Sequence, residues 1–155
     1  MTKNIIYSIL FILILFVSGI YFKNPVSFLS TSTYDNEIKK NPNDDSAYSG
    51  RAIMNYYSKS YKKAVEDFSK AIELRGKRQN KTLYYQRGLA FDKLNENEKA
   101  IEDFSKVIEL DPKDVMGYFS RGKVYEKLGK GKEAEVDYKK AINLNAQAKY
   151  KYILK

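Results

Sequence analysis

Apolar and small residues recur at spacings of three and four along most of this chain, in paired clusters separated by short polar turns. In the middle of the chain one cluster is Tyr84, Gly88 and Phe91, and the next is Ala100, Phe104, Val107 and Ile108. Each cluster marks one face of a helix. Between them Leu94-Asn95-Glu96-Asn97 forms a turn, where Asn95 suits the left-handed conformation that closes a helix; Gly129 holds the equivalent place further on. The same pair of helices is written three times. Its second half reads AVEDFSKAIEL from Ala64 to Leu74, AIEDFSKVIEL from Ala100 to Leu110, and AEVDYKKAINL from Ala134 to Leu144. Its first half is a Tyr-x-x-Arg-(Ala/Gly) segment at Tyr48–Ala52, Tyr84–Gly88 and Tyr118–Gly122. The second halves are 36 and then 34 residues apart, a period that belongs to stacked helical repeats. Helices are predicted near 45–58, 61–74, 81–94, 97–110, 115–128 and 131–144.

One such pair cannot bury its own apolar face, so neighbouring pairs must stack. Ala52, Gly88 and Gly122 lack bulk where the two helices of a unit cross, as do Ala64, Ala100 and Ala134 on the partner helix. Arg51, Arg87 and Arg121 recur with Asp67, Asp103 and Asp137, always 16 residues apart. A ladder of ligand-binding arginines would look like this, but recurrence in step with the framework favours an ion pair tying the two helices. The first unit departs from the pattern: Asn55 stands where Phe91 and Tyr125 pack, and Lys59 replaces the turn Asn or Gly. The two-residue insertion falls in the loop from Arg75 to Asn80, where added length costs little. After the third unit, Ala146–Lys155 is expected to begin another helix, with Tyr150, Ile153 and Leu154 packing back as a cap.

These residues resemble the tetratricopeptide repeat family. Its units carry a large aromatic residue (here Tyr48, Tyr84, Tyr118), a small one (Ala52, Gly88, Gly122), and a second-helix alanine (Ala64, Ala100, Ala134). An aromatic (Phe68, Phe104, Tyr138) and a further small or apolar residue (Ala71, Val107, Ala141) follow, and the terminal proline survives only as Pro112. The resemblance implies an all-α right-handed superhelix of three helix–turn–helix units spanning 45–148 (45–80, 81–114 and 115–148), with 149–155 starting a capping helix. It also implies a scaffold that binds a peptide or partner protein along a concave surface lined by the first helices. Mapped here, that surface presents Ser49, Ile53, Tyr56, Tyr57, Tyr85, Gln86, Leu89, Phe119, Ser120 and Lys123, edged by Asp92 and Lys127. Some family members grip a C-terminal carboxylate with Lys, Asn and Arg. Ser49, Ile53, Met116 and Ser120 stand at four such positions, so that capture is not expected here.

Ahead of the repeats, Ile5 to Phe22 is an uncharged apolar run of 18 residues between Lys3 and Lys23. As a helix it would extend about 27 Å, close to the thickness of a hydrocarbon core. Residues 1–23 are therefore expected to be a transmembrane anchor. A cleaved signal peptide ending near Val17-Ser18-Gly19 is the alternative, and would make the protein secreted; the run outlasts an ordinary signal core. With so few residues before Lys3, an N-in, C-out arrangement with extracytoplasmic repeats is expected. Residues 24–44 read as a linker, broken at Asn24-Pro25, with a short helix at Tyr34–Lys40 ended by Asn41-Pro42.

Composition narrows the chemistry. There is no Cys and no His, which removes disulfides, lipid attachment, thiol chemistry and the usual zinc ligands. No phosphate loop, metal cluster or nucleophile motif is present, so neither catalytic activity, a cofactor nor a metal is expected. Net charge is +9, concentrated in the first unit, the last unit and the tail, while the middle unit is mildly acidic. A solvated lysine-rich surface explains that distribution better than nucleic-acid binding does. Three functions remain. The chain is a membrane-anchored adaptor for a partner protein, a structural subunit stacking its repeats on another copy, or a basic binder of acidic polymer through Lys139, Lys140, Lys149, Lys151 and Lys155.

Overall fold

The computed structural model describes the backbone of residues 31–153 and the side chains of residues 31–146. Within them lie seven helices and no strand: α1 Thr31–Lys40, α2 Asp45–Tyr57, α3 Tyr61–Arg75, α4 Lys81–Lys93, α5 Asn97–Leu110, α6 Val115–Lys127 and α7 Gly131–Ile153. The apolar run Ile5–Phe22 lies outside the described residues. Among those described, no helix is long and apolar enough to cross a membrane.

Helices α2 and α3, α4 and α5, and α6 and α7 form three hairpins. Each first helix starts at an Asp or Asn that accepts from exposed backbone amides. Asp44 takes the amides of Ser46 and Ala47, Asn80 that of Thr82, and Asp114 that of Gly117. Each hairpin turn closes alike: the amides of Ser60, Glu96 and Lys130 donate to the carbonyls of Asn55, Phe91 and Tyr125, all at 2.8–2.9 Å. That closure requires one residue in the left-handed region, and the three are Lys59 (φ 63°), Asn95 (φ 59°) and Gly129 (φ 72°). Lys59 is the one of the three whose side chain neither tolerates nor offsets that conformation.

The core sits between the paired helices. Ala52, Ala64 and Ala100 are fully buried, with Phe68 and Phe104 filling the space beside them. A Cβ on Gly88 would lie 2.9 Å from the Phe104 ring, and one on Gly122 would lie 2.9 Å from the Tyr138 ring. Neighbouring units join through the second helix of one and the first helix of the next. Val65 and Ile72 pack in the cluster that contains Leu83, and Gly117 lets Val107 and Ile108 approach α6 closely.

The arginine of each unit performs the same task with all three of its arms. Arg87 donates Nε to Asp103 Oδ2 at 2.9 Å and Nη2 to Oδ1 at 2.7 Å, and Nη1 reaches back to Ser69 Oγ of the preceding unit at 3.0 Å. Arg121 repeats this on Asp137 and Ser105, at 2.8, 2.9 and 2.9 Å. Both guanidinium groups lie between two aromatic rings, Tyr84 and Phe91 or Tyr118 and Tyr125. Arg51 holds Asp67 in the same fork, but its second ring is replaced by Asn55. Asn55 is buried and donates Nδ2 to Asp67 Oδ2 at 3.0 Å, so its departure from the pattern is a substitution within one network. Burial raises the Asp103 pKa against the lowering pull of Arg87. Burial also works to lower the Arg87 pKa, and the bond and charge of Asp103 overcome it, so the guanidinium stays above its ordinary value.

Two ends of the array differ from expectation. The first concerns α1, which begins three residues earlier than the expected Tyr34–Lys40 and is no mere linker segment. Asp35 accepts from Arg51 Nη1 at 2.7 Å, standing where Ser69 and Ser105 stand for later units. The ring of Tyr34 fills the space above Gly50, where a Cβ would come within 2.3 Å. Helix α1 thus takes the place of a preceding unit's second helix. The second concerns the tail. No separate capping helix follows the third unit; α7 runs without a break to Ile153, because neither Gly nor Pro interrupts residues 132–153. A third pairing also departs from uniformity, since the start of each first helix meets the end of its second. Asp45 pairs with Arg75, Lys81 pairs with Asp111 with the charges exchanged, and the third unit has neutral Val115 and Asn145 there.

Breaking one partner of a buried ion pair costs about 3–5 kcal/mol. Arg87→Ala should therefore lower the folding stability of the chain by about that much in denaturant unfolding, whereas Ser69→Ala should cost about 0.5–1.5 kcal/mol. An unchanged midpoint for Arg87→Ala would refute the tie. Conversely, Lys59→Gly should raise stability by about 0.5–1 kcal/mol, the left-handed penalty less the entropy of glycine.

Candidate partner-binding groove

With Arg87 and Arg121 committed to Asp and Ser, and Arg51 to two aspartates, the three Arg–Asp pairs have no free donor fork to offer a ligand. The opposite face of the first helices is different. Helices α2, α4 and α6 adjoin there: Ser120 Oγ lies 3.4 Å from the Tyr85 hydroxyl, and Lys127 Nζ donates to Asp92 Oδ1 at 3.0 Å. Equivalent positions consequently stand in rows across the face. One row is Ser49, Tyr85 and Phe119; another is Ile53, Leu89 and Lys123; a third is Tyr57, Lys93 and Lys127.

Five of the residues expected in the groove come together as the wall of one small apolar notch. Ile53, Tyr56 and Tyr57 from α2 face Gln86 and Leu89 from α4 around a cavity of about 60 Å³. Its remaining lining residue is Phe68, a core residue that sequence spacing assigned to the hairpin interior. Aromatic contacts fix this end: Tyr56 meets Tyr57 and Tyr61 edge-on, with centroids 5.8 and 5.4 Å apart. Burial raises the Tyr56 hydroxyl pKa above its ordinary value.

Tyr85 and Phe119 are placed differently. Tyr85 is half-buried with its ring tilted against Phe104 at 5.7 Å, so it floors the groove while also covering the core. Phe119 lies against Tyr138 at 5.7 Å yet remains 45% exposed, next to Met116 at 51%. Tyr57, at 65%, is the most open aromatic of the set. Ser120 is buried at the boundary with α4, and the Ser49 hydroxyl is spent on its own helix, donating to the Ser46 carbonyl at 2.9 Å. Lys123 projects into solvent with no ion pair among the described residues. Along the edge, the ammonium of Lys127 is held by Asp92, and Glu126 accepts from the Tyr138 hydroxyl at 2.7 Å. That hydroxyl is pushed up to about 12 by desolvation and by the Glu126 carboxylate.

Two groups at this face were read in the sequence for other roles. Met116 was weighed only as a missing carboxylate ligand, though its exposure extends the apolar strip of Phe119. Phe68 was placed in the hairpin interior, and it also reaches the wall of the notch. Among the described residues there is no cluster of acidic side chains able to hold a metal ion.

Comparison with known proteins agrees with this geometry. Two tetratricopeptide repeat models match the chain, one over residues 82–114 and the other over residues 117–147. No curated protein matches the sequence. Among solved structures, the Arabidopsis OM64 TPR domain is similar at 32% identity, covering 66% of this chain and 84% of that one, with a TM-score of 0.61. The crystal structure of MamA is similar at 25% identity over 84% of this chain and 75% of that one, with a TM-score of 0.76. YrrB, described as a TPR protein with an unusual peptide-binding site, shares the fold at 22% identity, covering 75% of this chain and 59% of that one, with a TM-score of 0.67. Residues 45–80 fall outside both matched spans, but they carry the same hairpin, turn and Arg–Asp fork as the two units that match. The chain belongs to the tetratricopeptide repeat family.

Proposed function

We propose that this protein is a non-catalytic scaffold that holds a segment of a partner protein against the face formed by α2, α4 and α6. The observation that carries this reading is the apolar notch between Ile53, Tyr56, Tyr57 and Leu89, next to the exposed Phe119 and Met116. Aromatic and aliphatic side chains gathered in a concavity, with polar groups at its edge, suit the anchor residues of a peptide. The peptide-binding site described for YrrB lends the reading support at the level of the fold. We further propose that residues 5–22 anchor the scaffold in a membrane, with the repeats on the extracytoplasmic side; the uncharged length of that run and its flanking lysines support this.

Stacking of one copy's repeats on another is the competing reading, and Ile142 favours it. Ile72 and Ile108 are covered by the next unit, whereas Ile142, at the same position, is 70% exposed. Two neighbouring substitutions weigh against it. Where α3 and α5 present Val65 with Ser69 and Ile101 with Ser105 to the next unit, α7 presents Glu135 and Lys139, paired to each other at 2.6 Å. An incoming first helix would bring an arginine onto Lys139 rather than onto a serine. Like charges there oppose the stack. Of the residues expected to carry binding of acidic polymer, Lys139 is engaged by Glu135 and Lys140 has no ion pair among the described residues. The side chains of Lys149, Lys151 and Lys155 lie outside those described.

Site-specific photocrosslinking in native membranes tests the groove. A crosslinker at position 53, 89 or 119 should trap the same partner, and one at Glu66 or Glu102 on the second helices should not. Equal trapping from both faces would refute the reading.

A further inference from the structure

We infer that the groove selects an extended segment in which an apolar side chain lies about four residues from an acidic one. The apolar residue enters the notch between α2 and α4, and the carboxylate meets Lys123. This inference rests on the groove being the binding surface.

The row Ile53, Leu89 and Lys123 changes character as it crosses the face. Its first two members wall the notch, and the third, at the equivalent position of α6, is an ammonium exposed to solvent. The cations around Lys123 are not equivalent to it. Arg121 is bound to Asp137 and Ser105, and Lys127 to Asp92, while Lys123 has no ion pair among the described residues. Lys93 is also unpaired among them but stands in the outer row with Tyr57 and Lys127, not in the row of the notch. An unmatched positive charge beside an apolar strip calls for a negative charge on the occupant. Packed helices stand about 8–10 Å apart, so a notch between α2 and α4 lies roughly 12–15 Å from a side chain on α6. An extended chain covers that in about four residues.

Extension is favoured over a helical occupant by Gln86. Its carboxamide lines the notch and forms no hydrogen bond within the described residues. An extended segment carries backbone N–H and C=O groups that need partners, and Gln86 offers one of each kind, whereas a helix satisfies its own. A notch of about 60 Å³ suits a single apolar side chain.

Selection from random peptides of about twelve residues, long enough to cross three helices when extended, tests this. The peptides are acetylated and amidated so that every charge belongs to a side chain. The full chain and its Lys123→Glu variant are used as targets, with circular dichroism confirming that the variant keeps its helix content. The full chain should enrich Leu, Ile, Met or Phe with Asp or Glu about four residues away. Lys123→Glu should keep the apolar preference and replace the acid by Lys or Arg, and it should bind the original peptides about tenfold more weakly, an attraction having become a repulsion. If both targets enrich the same acidic peptides, or if apolar residues recur at helical spacing without an acid, the inference is overturned and the groove reading stands. If the full chain enriches nothing, the groove reading itself fails, and the inference with it.

Discussion

A buried arginine that grips three partners is the constraint on which this structure depends. Each hairpin has one, and each spends two donors on the aspartate of its own second helix and a third on the helix before it. Packing alone would leave the hairpins free to slide, because alanine, glycine and phenylalanine make a smooth crossing. The guanidinium fork is planar and rigid, so it fixes both the register within a unit and the offset between units. Such an ion pair adds little net stability over an apolar replacement, yet removing half of it is costly. That asymmetry explains why arginine, aspartate and the receiving serine recur while the residues around them drift.

The same device takes a different form at each end of the described repeats. Before the first unit, Asp35 of α1 supplies the acceptor that a serine supplies elsewhere, and Tyr34 occupies the space left by Gly50. At the far end, Lys139 stands in the acceptor position, where it can receive no arginine, and Glu135 pairs with it. Framework and surface are thereby separated. Residues shared by the units hold the helices together, and residues that differ between them, on the outward side of α2, α4 and α6, form the notch and its charged edge.

Much of this was legible before any coordinates. Period and helical spacing placed α2 to α6 to within a residue, since Tyr, small residue and Phe occupy fixed phases that only one packing satisfies. That a partner docks on the outward face of the first helices is the proposal made above, but the face itself was legible too, because a helix with one buried face must present the opposite one. Three features were not. Helix α1 is largely polar and has no buried residue, so its meaning comes from contact with Arg51 and Gly50. Asn55 looked like a defect because its partner, Asp67, lies on another helix. The length of α7 was misjudged because a separate helix was expected to begin at Ala146, while nothing between Gly131 and Ile153 breaks a helix.

The central claim is that the framework that recurs in each unit and the groove that differs between units occupy opposite sides of the same first helices. Backbone amide chemical shifts of the full chain, followed by nuclear magnetic resonance as a groove-selected peptide is added, test it most directly. The account predicts shifts concentrated around Ile53, Tyr57, Gln86, Leu89 and Lys123, with Ser69, Ser105 and the outer side of α7 unmoved. Shifts centred on the Arg–Asp pairs or on Glu135 and Ile142, with the notch silent, would contradict it.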